Sequence, residues 1–83
     1  LHQNYPNPFN PTTTISFSLP ARCLVSLRVF DALGQEVSEL VSDELPMGMH
    51  LRQWNAKGLA SGMYFYRLQA AGWSQTKACV LVR

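Results

Sequence analysis

The sequence predicts an all-β sandwich. Three observations carry that reading: apolar and polar residues alternate with a period of two through most of the chain, turn residues interrupt the alternation about every ten residues, and no amphipathic helix of useful length appears. About seven short antiparallel strands are expected. Eighty-three residues make one domain, able to bury roughly 60% of the surface its unfolded chain would expose.

The chain opens with Asn4-Tyr5-Pro6-Asn7-Pro8-Phe9-Asn10-Pro11, whose prolines exclude both helix and central strand. Each proline fixes its own φ near about −65° and pushes the residue before it toward extended conformations. Residues 1–12 are therefore expected to run stiff and extended, as the end of a linker, into a domain spanning 13–83. Thr13 to Leu19 then alternates, with Ile15, Phe17 and Leu19 on one face and Thr14, Ser16 and Ser18 on the other, as a half-buried strand does. After Pro20, Cys23, Val25, Leu27 and Val29 alternate with Leu24, Ser26, Arg28 and Phe30 in a second strand, apolar on most of both faces. Asp31-Ala32-Leu33-Gly34 reverses the chain, with Asp opening a type I turn and Gly closing it.

Gln35 to Val41 spaces Val37, Leu40 and Val41 by three and four, which fits one helical turn as well as a bulged strand; the strand is the reading adopted. Pro46 and Gly48 interrupt the chain again, and Met49 to Trp54 forms a short strand with His50, Arg52 and Trp54 on one face. A loop over 55–62 carries Gly58 and Gly62, both available for positive φ. Met63 to Ala70 is the most aromatic strand and is expected to be central, with Tyr64, Tyr66 and Leu68 sharing a face. Ala71-Gly72-Trp73 leads into a last strand, Ser74 to Val82, apolar on both faces at its end: Cys79 and Leu81 on one, Ala78, Val80 and Val82 on the other.

Composition excludes several classes of function. Seven basic and five acidic side chains are spread along the chain for a formal charge of +2, leaving no basic stripe for a phosphate backbone, so nucleic acid is not an expected partner. No apolar run approaches the length of a membrane span. The chain starts at Leu1 and shows no leader pattern, which suggests the tail domain of a longer protein. Two cysteines, Cys23 and Cys79, both fall on apolar faces. A disulfide between them would be worth about 4 kcal/mol by chain entropy, while two free thiols would pack as small hydrophobes; the sequence leaves both open. No CxxC or histidine cluster suggests zinc, and no cofactor is expected.

Catalysis finds few candidates. His2 lies in the leading segment, and His50, beside Trp54, reads as a structural or hydrogen-bonding histidine. Asp31, Glu36, Glu39, Asp43 and Glu44 fall in turns or at solvent-facing positions, with Asp43-Glu44 read as a solvated loop pair. The glycines around 58 and 62 lack a phosphate-cradling pattern. No enzymatic activity is expected. A sugar-binding platform of Trp54, Tyr64, Phe65, Tyr66 and Trp73 is the competing binding reading; Tyr64 and Tyr66 read as core residues, leaving only Phe65 and Trp73 as exposed rings.

Taken in order, Asn4 to Ile15, Val29 to Gly34, Gly48-Met49-His50, Trp54-Asn55-Ala56 and Leu59 to Leu68 resemble the C-terminal sorting domain, type A, of cargo proteins of the type IX (Por) secretion system. The ending Lys77 to Arg83 is similar to that family's short basic and apolar finish, and the likeness covers nearly the whole chain. Its motif positions here are Tyr5, Pro6, Pro8, Phe9, Pro11, Asp31, Gly34, Gly48 and Trp54. Ala78 and Cys79 stand where Lys and Met are common, and Arg52 where an apolar residue is usual. The resemblance implies an immunoglobulin-like sandwich, carried behind an N-terminal cargo domain by secreted or cell-surface proteins of Bacteroidetes-type bacteria. It implies recognition by the outer-membrane translocon and removal by a surface signal peptidase during anchoring to lipopolysaccharide. Recognition is then expected through the last strand and its neighbour, at Gly62, Tyr64, Tyr66, Lys77, Val80, Leu81, Val82 and Arg83, with Lys77 and Arg83 as electrostatic contacts. The middle of the chain also resembles the immunoglobulin-like domain of flagellar hook-capping proteins, which implies a structural module; this and the carbohydrate-binding reading of the aromatic residues are the alternatives.

Overall fold

The computed structural model describes residues 1–83 and contains six strands and no helix: β1 (Thr12–Leu19), β2 (Cys23–Phe30), β3 (Glu36–Leu45), β4 (Gly48–Asn55), β5 (Gly62–Ala70) and β6 (Trp73–Leu81). They form two antiparallel sheets, one of order β3-β2-β5-β6 and one of β1-β4. The alternating residues meet between the sheets. Ile15, Phe17 and Leu19 from β1, Val25, Leu27 and Val29 from β2, Tyr64, Tyr66 and Leu68 from β5, and Cys79 and Leu81 from β6 are buried in one core. β5 is central, flanked by β2 and β6, as its aromatic content suggests.

Six strands replace the expected seven, and the leading segment takes the seventh place. Its first part adds to β1: the His2 amide donates to the Ser16 carbonyl at 2.9 Å, and Tyr5 and Thr14 exchange two backbone bonds. Its second part crosses to the other sheet, where Phe9 pairs in parallel with Leu81 on the outer edge of β6. Phe9 is 2% exposed, and its ring lies 5.4 Å from that of Trp54. The leading segment, expected to run stiff and extended over residues 1–12, is instead bent at 6–8 and lies against both sheets, and its last residue, Thr12, already belongs to β1.

β3 runs to Leu45, past the Val41 limit of the sequence reading, so Asp43 and Glu44 lie in a strand rather than a loop. Its register against β2 skips Leu40, between Val41 and Glu39, and Val37, between Ser38 and Glu36. These bulges turn Val37 and Leu40 toward the core, which explains the three-and-four spacing that had admitted a helical turn. The turn at Asp31 has the expected chemistry: Asp31 Oδ1 accepts from the amides of Leu33 and Gln35, and Gly34 adopts φ +85°.

Candidate functional site

The residues predicted for recognition divide by face. Tyr64, Tyr66 and Leu81 are buried in the core, so in the folded domain their side chains meet no partner. Tyr64 donates to the Ala60 carbonyl at 2.7 Å, fixing the loop before β5. Tyr66 is completely buried; its hydroxyl accepts from the Asn4 amide at 2.8 Å and donates to the His2 carbonyl at 2.9 Å. Burial pushes its phenol up to about 12, against a smaller opposing effect of the Asn4 hydrogen bond.

Val80 and Val82 lie on the outer side of β6, Val82 47% exposed. Across the β5–β6 ladder, Val80 is the register partner of Met63, itself 49% exposed, and Ala78 that of Phe65. Sequence reasoning placed Ala78 with Val80 and Val82 and left Phe65 exposed, but did not join them to Met63 in one surface across the ladder, which only the strand register supplies. Arg67 continues the face, its guanidinium 4.6 Å from the centre of the Phe30 ring. Lys77 belongs to the opposite, core-facing register with Cys79 and Leu81, half-buried at the rim of the sheet. Arg83 is tied to the loop before β5: its amide donates to Ser61 Oγ at 3.0 Å and its guanidinium to the Leu59 carbonyl at 2.6 Å. Gly62 starts β5 beneath it, with φ +150°.

The outer edge of β6 is covered. Phe9 donates its amide to the Val80 carbonyl and accepts from the Val82 amide, both at 3.0 Å. The Val80 amide donates to Asn7 Oδ1 at 3.0 Å, and Gln3 Nε2 donates to the Ala78 carbonyl at 2.8 Å. A second network anchors the segment to β1. Buried Asn4 donates from Nδ2 to Thr13 Oγ1 at 2.9 Å, and Thr13 Oγ1 donates to the Pro6 carbonyl at 2.8 Å. Here lies the physical role of the Asn-Tyr-Pro-Asn-Pro-Phe motif: Asn4 and Phe9 fill the seam between the sheets, whereas Tyr5 is 81% exposed.

Other predicted groups resolve simply. Cys23 and Cys79 are free thiols, not a disulfide. Cys23 sits level with the turn that ends β5 and Cys79 is opposite Tyr64, about eight residue steps and roughly 27 Å along the sheet, far beyond disulfide reach. Burial pushes the Cys79 thiol up to about 11, which suppresses its thiolate. His50 Nε2 donates to the Pro46 carbonyl at 2.8 Å while its ring stacks 5.5 Å from Phe17, a structural assignment. Glu44 pairs with Arg22, and Arg28 lies between Glu36 and Glu39; these exposed pairs contribute little. Trp54, Tyr64 and Tyr66 are core residues, so no five-ring platform for a sugar exists on this surface. No helix is long and apolar enough to cross a membrane.

Compared with known families, residues 3–82 match the family described as the secretion system C-terminal sorting domain. Neither a curated protein nor a solved structure matches the chain.

Proposed function

Because the chain belongs to that family of sorting domains, it is a C-terminal sorting signal for type IX secretion, and we propose that β6 is the element the export apparatus reads. Domains of this family are tails of cargo proteins recognised by the type IX system, with export to the cell surface or medium as the outcome, and the family is not an enzymatic one. The reading of β6 is carried by one observation: the face formed by Val80 and Val82 with Met63 is apolar yet left partly open to solvent. A contiguous open apolar surface on a small domain is a natural docking face.

In this reading the outer-membrane translocon contacts Val80, Val82 and the Arg83 end of the chain, with Lys77 at the rim and Gly62 setting the geometry beneath. Tyr64, Tyr66 and Leu81 act by holding the strand in place. The cargo domain precedes this one in the same polypeptide. A surface signal peptidase cuts upstream of the buried Asn4, since from there on the chain is tied to β1 through Tyr5 and to β6 through Phe9.

Deleting residues 77–83 would also remove Cys79 and Leu81 from the core, so surface substitutions make the sharper test. A cargo fusion carrying Val80→Glu with Val82→Glu should keep its fold and accumulate in the periplasm. Surface display equal to that of the unaltered fusion would refute recognition through this face.

A further inference from the structure

We propose that the seam between β1 and β6 is a strand-exchange site: the chain's own residues 6–10 cover it in the resting domain, and an extended, proline-free strand of the export apparatus displaces them to pair with β6. The inference rests on the reading of β6 as the recognised element and specifies how its backbone becomes available.

Four outward-facing backbone groups of β6 are in use: the carbonyls of Ala78 and Val80 and the amides of Val80 and Val82. A regular partner strand would meet all of them with its own backbone. The resident segment meets only two that way, through Phe9, and fills the others with the side chains of Gln3 and Asn7. It has no means of doing better, because Pro6 and Pro8 lack the amide that a continuous ladder requires. The cover is therefore a poorer partner than a regular strand, the relation under which one strand replaces another.

The cover is also a loop between two fixed points. Tyr5 is held on Thr14 by two backbone bonds, and the Pro11 carbonyl accepts from the Ala56 amide at 2.8 Å. Residues 6–10 can lift while both anchors stay. What must leave besides the loop is the Gln3 side chain, which swings off the Ala78 carbonyl, and the Phe9 ring, buried against Trp54, so the incoming strand needs an apolar side chain at that register to refill the pocket. The open surface of Val80 and Val82 lies directly beside the edge so exposed, and edge and face together give the incoming strand both backbone and side-chain contacts.

Asn7→Cys with Val80→Cys, in a Cys23→Ser, Cys79→Ala background, sets two thiols at the Asn7–Val80 contact for a disulfide confirmed by loss of free thiol, and Val80→Cys alone in that background, treated in the same way, is the reference for the changed Val80 side chain. One protein is then compared oxidised and reduced, for binding to outer membranes prepared from a host with type IX machinery. The reduced form should match the Val80→Cys reference and bind at least tenfold more than the oxidised form; a reference that binds, with the double variant's two states within twofold of each other, would overturn the proposal. Gln3→Ala with Asn7→Ala loosens the cover without touching the core. Its Val80 amide should exchange hydrogen at least tenfold faster, with membrane binding and export at or above the unaltered level; a folded variant with the faster exchange but reduced binding would also overturn it. If the unaltered chain is not exported, the sorting assignment fails, and failure of this control separates that result from failure of strand exchange alone.

Discussion

Tyr66 joins the core to the leading segment through a single oxygen. Its hydroxyl serves both the Asn4 amide and the His2 carbonyl, so Tyr66→Phe leaves two backbone groups without a partner while the ring still fills the core. That substitution should cost about 1–3 kcal/mol in chemical denaturation, and an unchanged midpoint would show the bridge to be idle. The same hydroxyl gives the domain an alkaline dependence. Its folded value is raised to about 12 from an ordinary 10, so the contribution is fully present below pH 10 and is lost as pH rises toward 12, where only the unfolded chain gives up the proton. Wild-type protein should lose stability over that window more steeply than Tyr66→Phe; parallel curves would contradict the assignment. Gly62 acts through backbone alone. A Cβ there meets nothing within 4 Å, but φ +150° is open to glycine and strained for other residues, so Gly62→Val should cost about 1–3 kcal/mol by strain. An unaltered melting temperature would make the glycine incidental.

At the scale of elements, the β5–β6 hairpin contains the clearest improvable position. Its two-residue turn places Ala71 at φ +46° and Gly72 at φ +82°, the type I′ geometry that favours Asn-Gly. Ala71→Asn should stabilise the domain by up to about 1 kcal/mol, read as a higher denaturation midpoint; a lower midpoint would mean that the turn is not of this type. The leading segment lies at the other extreme. Phe9→Ala should cost about 3–5 kcal/mol, because it empties a core position and detaches the outer edge of β6. Why one was legible in sequence and the other was not follows from the physics. Five strands announce themselves by simple alternation, and β3 is obscured only where bulges at Val37 and Leu40 break the period. The segment around Phe9 has no period at all. Its hold on β6 runs through the side chains of Gln3 and Asn7 and through one aromatic anchor, none of which a pattern of alternating residues can register.

The molecule as a whole is a sandwich closed along one side and open along the other. Residues 2–9 bridge β1 to β6, whereas β3 and β4 leave their outer edges unpaired across the opposite seam. Its acidic groups are concentrated on β3, at Glu36, Glu39, Asp43 and Glu44, so the two long sides differ in charge as well as closure. The candidate site was half legible. Parity placed Val80 and Val82 on one face of β6, but the aromatic identity of Tyr64 and Tyr66 pointed to recognition where burial makes them structural. Nothing in local pattern revealed that the edge of β6 is occupied, since the covering residues lie some seventy positions away in sequence. The sorting claim is tested most directly by fusing an inert fluorescent protein, with a leader that carries it to the periplasm, ahead of residues 1–83 in a host with type IX machinery. Fluorescence should appear at the cell surface or in the medium and depend on the chain being attached; a fusion that stays in the periplasm, with the domain folded, would contradict the account.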